Sequence, residues 1–199
     1  MHREPSAGTG ARPSHSERGA VLVETALLLP LMLLLVFGII ELSALYTSAA
    51  QVTDGTRSGA RTGSALARTP DYAVNIADAA ESALSRMPST APEEIWIYRA
   101  NDEGYPGADG NTSFTSCSSN CISYQWLPAQ ERFDTDNPGG NGWPAGTHNV
   151  CDGQPFDEVG VYVKATHAYY TGFFGESRTL VDHAVFRFEP QPSEVCTAP

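Results

Sequence analysis

The sequence from Ala20 to Tyr46 reads AVLVETALLLPLMLLLVFGIIELSALY, and this stretch decides how the rest of the chain is organised. Its only charged residues are Glu24 and Glu41. As a helix, these 27 residues extend about 40 Å, which is enough to cross a bilayer. No second stretch of this kind occurs in the sequence, so we expect one membrane span at most.

Residues 1–19 precede the apolar stretch and differ from it in composition. They read MHREPSAGTGARPSHSERG, are rich in Gly, Pro and Ser, and contain the arginines Arg3, Arg12 and Arg18. Segments of this composition bury too little apolar surface to fold, so we expect no fixed structure there. We therefore interpret residues 1–19 as a basic, disordered leader.

Three interpretations of this N-terminal arrangement are open. A secretory signal peptide would be cleaved beyond the apolar stretch, near Thr47–Ala49, and a plain anchor would keep its leader. A pilin-type leader would be cut before the apolar helix, which then stays on the mature protein. Glu24 favours the third interpretation, because a carboxylate inside the hydrocarbon costs roughly 2.5–3.5 kcal/mol and brings no gain to a signal peptide or an anchor.

The order of residues from Arg18 to Glu24 resembles the type IV prepilin processing site. In that site a short basic leader ends in Gly and is cut so that Glu becomes the fifth mature residue. The resemblance places the cut between Gly19 and Ala20 and implies that a prepilin peptidase makes it. It also implies that Glu24 acts in filament assembly by neutralising the new α-amino group of a neighbouring subunit, a pairing that burial strengthens.

Read further, the sequence is similar to the TadE-like family, the minor pseudopilins of the tight-adherence (Flp/Tad) pilus. The matching features are Arg18-Gly19, Val23-Glu24, Pro30, Phe37–Glu41 and Arg57–Arg61. An aromatic residue often follows the Glu in this family, whereas Thr25 stands here. The resemblance covers about residues 17–65. It implies a role in pilus assembly, with other pilin and pseudopilin subunits and the assembly machinery as partners.

The helical pattern continues past the apolar stretch, so we assign residues 20–68 to one transmembrane helix with an extracytoplasmic extension. Gly55, Gly59 and Gly63 are spaced by four residues and line one side of this extension. Each Gly costs about 1 kcal/mol relative to Ala inside a helix, so this face is expected to pack closely against another element. A partner subunit and the chain's own sheet are both open as that element.

Residues 69–199 are predicted to form an extracytoplasmic α+β domain. A second helix follows the Thr69-Pro70-Asp71 stop and ends near Pro88. Alternating apolar residues predict strands at 94–100, 159–170 and 179–189, and the last two are expected to form an antiparallel hairpin. The predicted fold class is therefore α+β: a long N-terminal transmembrane helix, a second helix, and a small antiparallel sheet with a long disulfide-pinned loop.

Two segments of this domain contain no predicted strand or helix. Residues 101–157 are dense in Gly, Asn, Asp, Pro and Ser, and they are predicted to be the loop insertion. The predicted hairpin turn, Gly172–Gly175, contains Phe173 and Phe174. A partner-binding tip and a fold-back contact with the core are both possible for this pair.

The four cysteines are predicted to be disulfide-bonded. All of them follow the apolar stretch: Cys117, Cys121, Cys151 and Cys196. The Cys117/Cys121 and His148/Cys151 spacings faintly resemble zinc-ligand pairs, but an oxidising compartment favours disulfides. Four cysteines allow three pairings, among which the sequence does not choose. We expect no metal and no cofactor.

Charge and motifs narrow the class of function. The chain has 12 Lys and Arg against 23 Asp and Glu, a net charge of −11, which argues against nucleic-acid binding because phosphate contacts need clustered cations. No recognisable spacing pairs a nucleophile with a base. His167 lies on an apolar strand face and is expected to be a core residue. We therefore predict no enzyme.

These observations together predict a minor pseudopilin processed after Gly19. Its helix would contact lipid in the cytoplasmic membrane as a single pass, with the C-terminal domain outside the cytoplasm and the extracellular pilus as a second location. The alternative is an unprocessed single-pass protein whose outer domain binds a ligand or a surface. A third possibility, a secreted enzyme, requires the loss of everything before about Ala50.

Overall fold

The computed structural model describes residues 15–84, 90–151 and 155–191, with side chains from residue 19 onward. The chain divides into two compact units, Met1–Leu42 and Ser43–Pro199, and one helix contributes to both. This helix, α1 (His15–Ala65), contains 51 residues with Pro30 inside it. Residues 1–14, most of the predicted leader, lie outside the described residues. Residues 15–19 belong to α1, whereas the sequence predicted no fixed structure for them.

The first unit presents an apolar helix surface that the protein leaves uncovered. Large apolar side chains are exposed along its length, among them Leu22, Leu27 and Ile39 at 71%, 72% and 63%. Within the part of the chain that the structure describes, α1 is the one helix long and apolar enough to cross a membrane. Exposure of this kind along a whole helix fits lipid as its surroundings.

The second unit combines the C-terminal half of α1, a helix α2 (Tyr72–Leu84) and one antiparallel sheet. The strand order is β3–β2–β1–β5–β6, and β4 also pairs with β2. The strands are β1 (Thr90–Arg99), β2 (Cys121–Leu127), β3 (Arg132–Phe133), β4 (Gly139–Gly142), β5 (Glu158–Ala168) and β6 (Ser177–Arg187). The predicted α+β class is confirmed. The predicted end of α2 near Pro88 lies outside the described residues.

The predicted hairpin is confirmed as β5 and β6. The two strands pair from Glu158 with Arg187 to Ala168 with Ser177. Gly172 and Gly175 have φ angles of +70° and +109° in the turn between them. Side chains other than Gly rarely adopt these angles, so the two glycines permit the chain to reverse here.

The loop insertion predicted at residues 101–157 is irregular for most of its described length, and the prediction is wrong for the rest. It contains β2, β3, β4 and a short 3₁₀ helix, Ala145–Thr147. β2 pairs with β1 in the register of Glu94 with Gln125 to Tyr98 with Cys121. The physical reason is the alternation of Ile122, Tyr124 and Trp126, which puts three large apolar side chains on the core face of β2.

The sheet is covered on both faces. Ile95, Ile97 and the valines of β5 face the helices in the main core. On the opposite face, Trp96, Tyr98 and Tyr162 form a second cluster, covered by Phe114 from the segment between β1 and β2. The rings of Phe114 and Tyr162 stack at 4.3 Å. This two-sided burial explains why the aliphatic and aromatic side chains of β1 alternate.

Candidate processing and assembly segment

The bond between Gly19 and Ala20 lies near the start of α1. Gly19 is the fifth residue of this helix, it is exposed, and no other atom lies within 4 Å of the position a Cβ would take on it. The first four N–H groups of a helix have no intrahelical acceptor, so the first turn opens more readily than the turns that follow. The bond follows directly after this turn, so a protease would reach it only if the start of the helix unwinds as far as Ala20.

Glu24 is exposed and lies one turn beyond Ala20. A cut after Gly19 would make Ala20 the first residue of the helix, and Glu24 would then lie close to a new positive charge and the helix N-terminus, both of which favour a carboxylate. Thr25, which takes the place of the aromatic residue, donates its hydroxyl to the carbonyl of Val21 at 2.8 Å. This bond satisfies the hydroxyl within the helix, so Thr25 is compatible with an apolar environment.

The glycine face of α1 packs against α2 of the same chain. A Cβ on Gly55 would lie 3.0 Å from Leu84 Cδ2, and one on Gly59 would lie 3.3 Å from the carbonyl oxygen of Ile76. A Cβ on Gly63 would lie 2.6 Å from Ile76 Cδ1 and 3.3 Å from Val159 Cγ2. The glycines thus allow a close approach of two helices, and this part of the surface is occupied within the chain.

Cys117 and Cys121 form a disulfide, as predicted, with their Cα atoms 5.2 Å apart. These two sulfurs are therefore not zinc ligands. Cys151 is not a free thiol, and Cys196 lies outside the described residues. Within the described ranges, no group of three or more His, Cys, Asp or Glu side chains is arranged to hold a metal ion.

His148, the other residue of the zinc-like spacing, is buried in an aromatic cluster. Its ring contacts Trp143, Tyr72 and Phe188 at centroid distances of 4.2, 4.6 and 4.9 Å. Its Nδ1 donates a hydrogen bond to the carbonyl of Ala67, two residues after the end of α1. Burial lowers the pKa of His148, because the charged ring would lose its hydration, and the bond to Ala67 opposes this in part. The side chain of His148 therefore holds α2 and the neighbouring segments together, and these contacts give no indication of a metal site.

A buried polar group that the sequence did not indicate joins α1, β1 and β5. Nδ1 of His167 lies 3.2 Å from Ser48 Oγ and 2.8 Å from Thr90 Oγ1, and the two hydroxyls are 2.8 Å apart. Ser48 and His167 are 1% and 0% exposed, so no substrate can reach them in this structure. A sequence separation of 119 residues between Ser48 and His167 leaves no local signal for this contact.

A polar cleft of about 640 Å³ lies where β1 ends at Arg99 and β5 begins at Glu158. Two of its charges are paired, because Arg99 Nε lies 2.8 Å from Asp157 Oδ1. The other oxygen of Asp157 accepts the backbone N–H of Asn149 at 2.8 Å. Arg187 in the same cleft lies over the ring of Phe156 at 5.7 Å. These contacts position the start of β5 and account for Arg99, Asp157 and Arg187 without a ligand.

Comparison with known proteins confirms the resemblance at the N-terminus. A family model described as TadE-like protein matches residues 19–61. The match begins at the predicted cleavage glycine and includes Glu24, Pro30 and two of the three glycines that contact α2. No curated protein and no solved structure matches the chain. The comparison therefore concerns the helix, and the sheet of the second unit has to be interpreted from its own structure.

Proposed function

We propose that this TadE-like chain is a minor pseudopilin of a tight-adherence pilus, processed by a prepilin peptidase after Gly19. The observation that carries the proposal is the family match over residues 19–61, on an apolar helix whose side chains the protein leaves exposed. A helix of this kind serves two environments. It is held by lipid before assembly, and it packs against the helices of other subunits afterwards.

Glu24 would supply a specific contact between subunits when the helix moves from the lipid into the assembly. Once the leader is removed, the α-amino group of Ala20 is a positive charge at the head of an apolar helix, and packing against other subunits removes it from water. A carboxylate from Glu24 of a neighbouring subunit offsets that loss, and in the dry interior the attraction is stronger than in water. The structure also permits Glu24 to reach the amino group of its own chain, one helical turn away.

The proposed location is the cytoplasmic membrane, with the second unit outside the cytoplasm. The Cys117–Cys121 disulfide supports this orientation, because disulfides persist in oxidising compartments and are rare in the cytosol. The proposed partners are the prepilin peptidase, other pilin and pseudopilin subunits with their assembly machinery, and membrane lipid. We propose no nucleic-acid partner, because the chain has a net charge of −11. We also propose no catalytic role for the Ser48–His167 pair, since it is buried.

The first test is the intact mass and N-terminal sequence of the native protein extracted from membranes. We expect a chain that begins at Ala20, because the leader would be removed and the helix retained. A chain that begins at Met1 would contradict processing and favour the alternative, an unprocessed single-pass protein whose outer domain binds a ligand or a surface. A start near Ala50 would contradict both, since it removes the membrane helix.

The second test separates processing from assembly. We expect Glu24→Ala to be processed almost normally, because the cleaved bond is a full turn away, but to co-purify poorly with the major pilin. Thr25→Ala is the matched control, because it changes the next residue and removes only a hydroxyl bonded within its own helix. Normal co-purification of Glu24→Ala would contradict the assigned role.

A further inference from the structure

The turn between β5 and β6 exposes three aromatic side chains. Tyr170, Phe173 and Phe174 are 56%, 66% and 53% exposed. The turn has a defined backbone, because the N–H of Tyr169 donates to the carbonyl of Glu176 at 3.0 Å and the N–H of Gly175 donates to that of Gly172 at 3.2 Å. Among the described residues, Phe174 makes one ring contact, with Tyr169 at 6.2 Å. The Phe pair therefore does not fold back into the core, and its apolar surface is available for contact with another molecule.

The contacts of β5 show at which end of the second unit this aromatic tip lies. Val159, near the start of β5, faces Gly63 of α1, and His167, near its end, hydrogen-bonds Ser48 of α1. β5 therefore runs antiparallel to the second half of α1. The tip follows His167, so it extends in the direction in which α1 runs back toward Ser43.

The distances place the tip level with the point where α1 enters the second unit. From Ser48 back to Ser43 the helix spans about 7–8 Å. From His167 to Tyr169 an extended chain spans about 7 Å, and the turn lies beyond it. Tyr46, on the same few turns of α1, is 81% exposed. Four exposed aromatic residues thus belong to one end of this unit.

The sequence places a membrane surface at the same end. The apolar stretch that α1 would use to cross the bilayer finishes at Tyr46, so the chain leaves the hydrocarbon there. We propose that Tyr170, Phe173 and Phe174 insert into the interface of the bilayer that α1 spans, with Tyr46 in the same layer. Aromatic rings concentrate in this layer, because it accepts an apolar ring and a polar hydroxyl together.

Lipid is the occupant that the tip fits, for two reasons. The tip lies level with the turns of α1 that contain Tyr46, where the membrane stretch ends, so no other partner is needed to bring it to the interface. Tyr169–Gly175 also contains no charged residue, and the chain from Ala20 onward keeps 9 Lys and Arg against 21 Asp and Glu. Attraction to anionic headgroups therefore contributes little, and the contact depends on apolar insertion that salt does not screen.

Insertion of the tip would give the second unit a second point of attachment to the membrane, in addition to α1. A single helix would leave this unit free to rotate about its own axis and to tilt, whereas a helix and a separate loop together fix one orientation on the membrane. This inference rests on the membrane span alone, so it stands or falls independently of processing after Gly19 and of any pilus role.

The experiment uses the full chain in nanodiscs of neutral phosphatidylcholine, with or without lipids carrying a nitroxide near the headgroup. Phe173→Trp adds an emitter to the tip, and Asp109→Trp adds one at the far end of the sheet, in the cleft that holds Arg99 and Asp157. Emission of the parent chain is subtracted from each. We expect the lipid nitroxide to quench most of the emission added at residue 173 and almost none of that added at 109, at both low and high salt.

Two results would overturn the proposal. If the emission added at 173 is no more quenched than that at 109, the tip is not in the lipid. If quenching is absent in lipid and the tryptophan shifts to the blue only after other pilus subunits are added, then the tip binds a protein. Both substituted positions are exposed. A far-ultraviolet circular dichroism spectrum and a melting temperature shared with the parent confirm that the variants fold.

Discussion

His148 shows how one buried side chain links the pH to the stability of the second unit. It lies among Tyr72, Trp143 and Phe188, three rings contributed by α2, by the chain before the 3₁₀ helix and by the chain after β6. Stacking needs the flat ring, and burial needs the ring to be neutral. The folded state therefore disfavours protonation, which lowers the pKa of His148.

The unfolded chain then binds more protons than the folded chain at pH values below about 6.5, the ordinary pKa of His. We expect the free energy of unfolding to be constant above this pH and to fall below it, by at most about 1.4 kcal/mol per pH unit from this group. His148→Phe keeps a flat ring but has no group to protonate. Its free energy of unfolding should therefore depend less on pH between the ordinary pKa of His and the lowered pKa of His148. Chemical unfolding in detergent at several pH values measures it.

Tyr72→Phe is the control for this prediction. It removes a hydroxyl that donates to the carbonyl of Trp143 at 2.6 Å, in the same cluster, but it adds or removes no group that titrates in acid. It should lower stability by about 1 kcal/mol at every pH and leave the dependence on pH intact. Equal pH dependence in His148→Phe and the parent chain would contradict the role assigned to His148.

Gly160 on β5 makes room for a ring on β1, its neighbour in the sheet. It is paired directly with Tyr98, and a Cβ built on it would lie 2.2 Å from Cζ of that ring. The ring has no free direction, because it is fully buried and its hydroxyl donates to the carbonyl of Gly104 at 3.0 Å. A glycine is normally unfavourable inside a strand, and here close packing across the two strands compensates for it.

We therefore expect Gly160→Ala to lower the free energy of unfolding by about 1–3 kcal/mol, the usual effect of overpacking a core. Gly146→Ala is the matched control, because Gly146 is exposed and no atom lies within 4 Å of its Cβ position. Its effect should remain within about 0.5 kcal/mol. Denaturant titration of the three proteins measures both, and equal stabilities would show that the ring of Tyr98 moves aside easily.

The elements differ in how far local sequence determines them. The apolar helix and the β5–β6 hairpin were predictable, because each carries its own periodicity over ten residues or more. β2 was missed because its alternating Ile122, Tyr124 and Trp126 occupy a short stretch between segments rich in Gly, Ser and Asn, which resemble a loop. The spacing of Gly55, Gly59 and Gly63 predicted a close-packed face but not the identity of α2 as its partner, since that depends on how the chain folds back.

The candidate site shows the same limit. Gly19, Ala20 and Glu24 could be proposed from their order alone, because the processing signal that they resemble is a run of neighbouring residues. The Ser48–Thr90–His167 group and the Arg99–Asp157 pair were not found, because each joins segments that lie far apart in the chain and come together only when the sheet forms. Contacts of this kind stabilise the fold and leave no short motif behind.

At the scale of the whole molecule, disulfides limit how far the second unit can unfold. Since Cys117 is bonded to Cys121, Cys196 is the one remaining partner for Cys151 within the chain. We predict this second bond. A loop of 46 residues closed by Cys151 and Cys196 restricts the unfolded state far more than the five-residue loop of the first bond, by on the order of 4 against 2 kcal/mol in the chain-entropy model.

A peptide map of the non-reduced protein should therefore contain the Cys151–Cys196 linkage. The double variant Cys151→Ser with Cys196→Ser should lose more thermal stability than Cys117→Ser with Cys121→Ser, its matched control, because the longer loop constrains more of the unfolded chain. Both variants lose one bond and two sulfurs. Because Cys121 is fully buried, its replacement adds a packing cost to the control, so a still larger loss in the first variant points to loop length. A disulfide-linked dimer on a non-reducing gel that disappears in Cys151→Ser would contradict the prediction, since it would mean that Cys151 joins two chains.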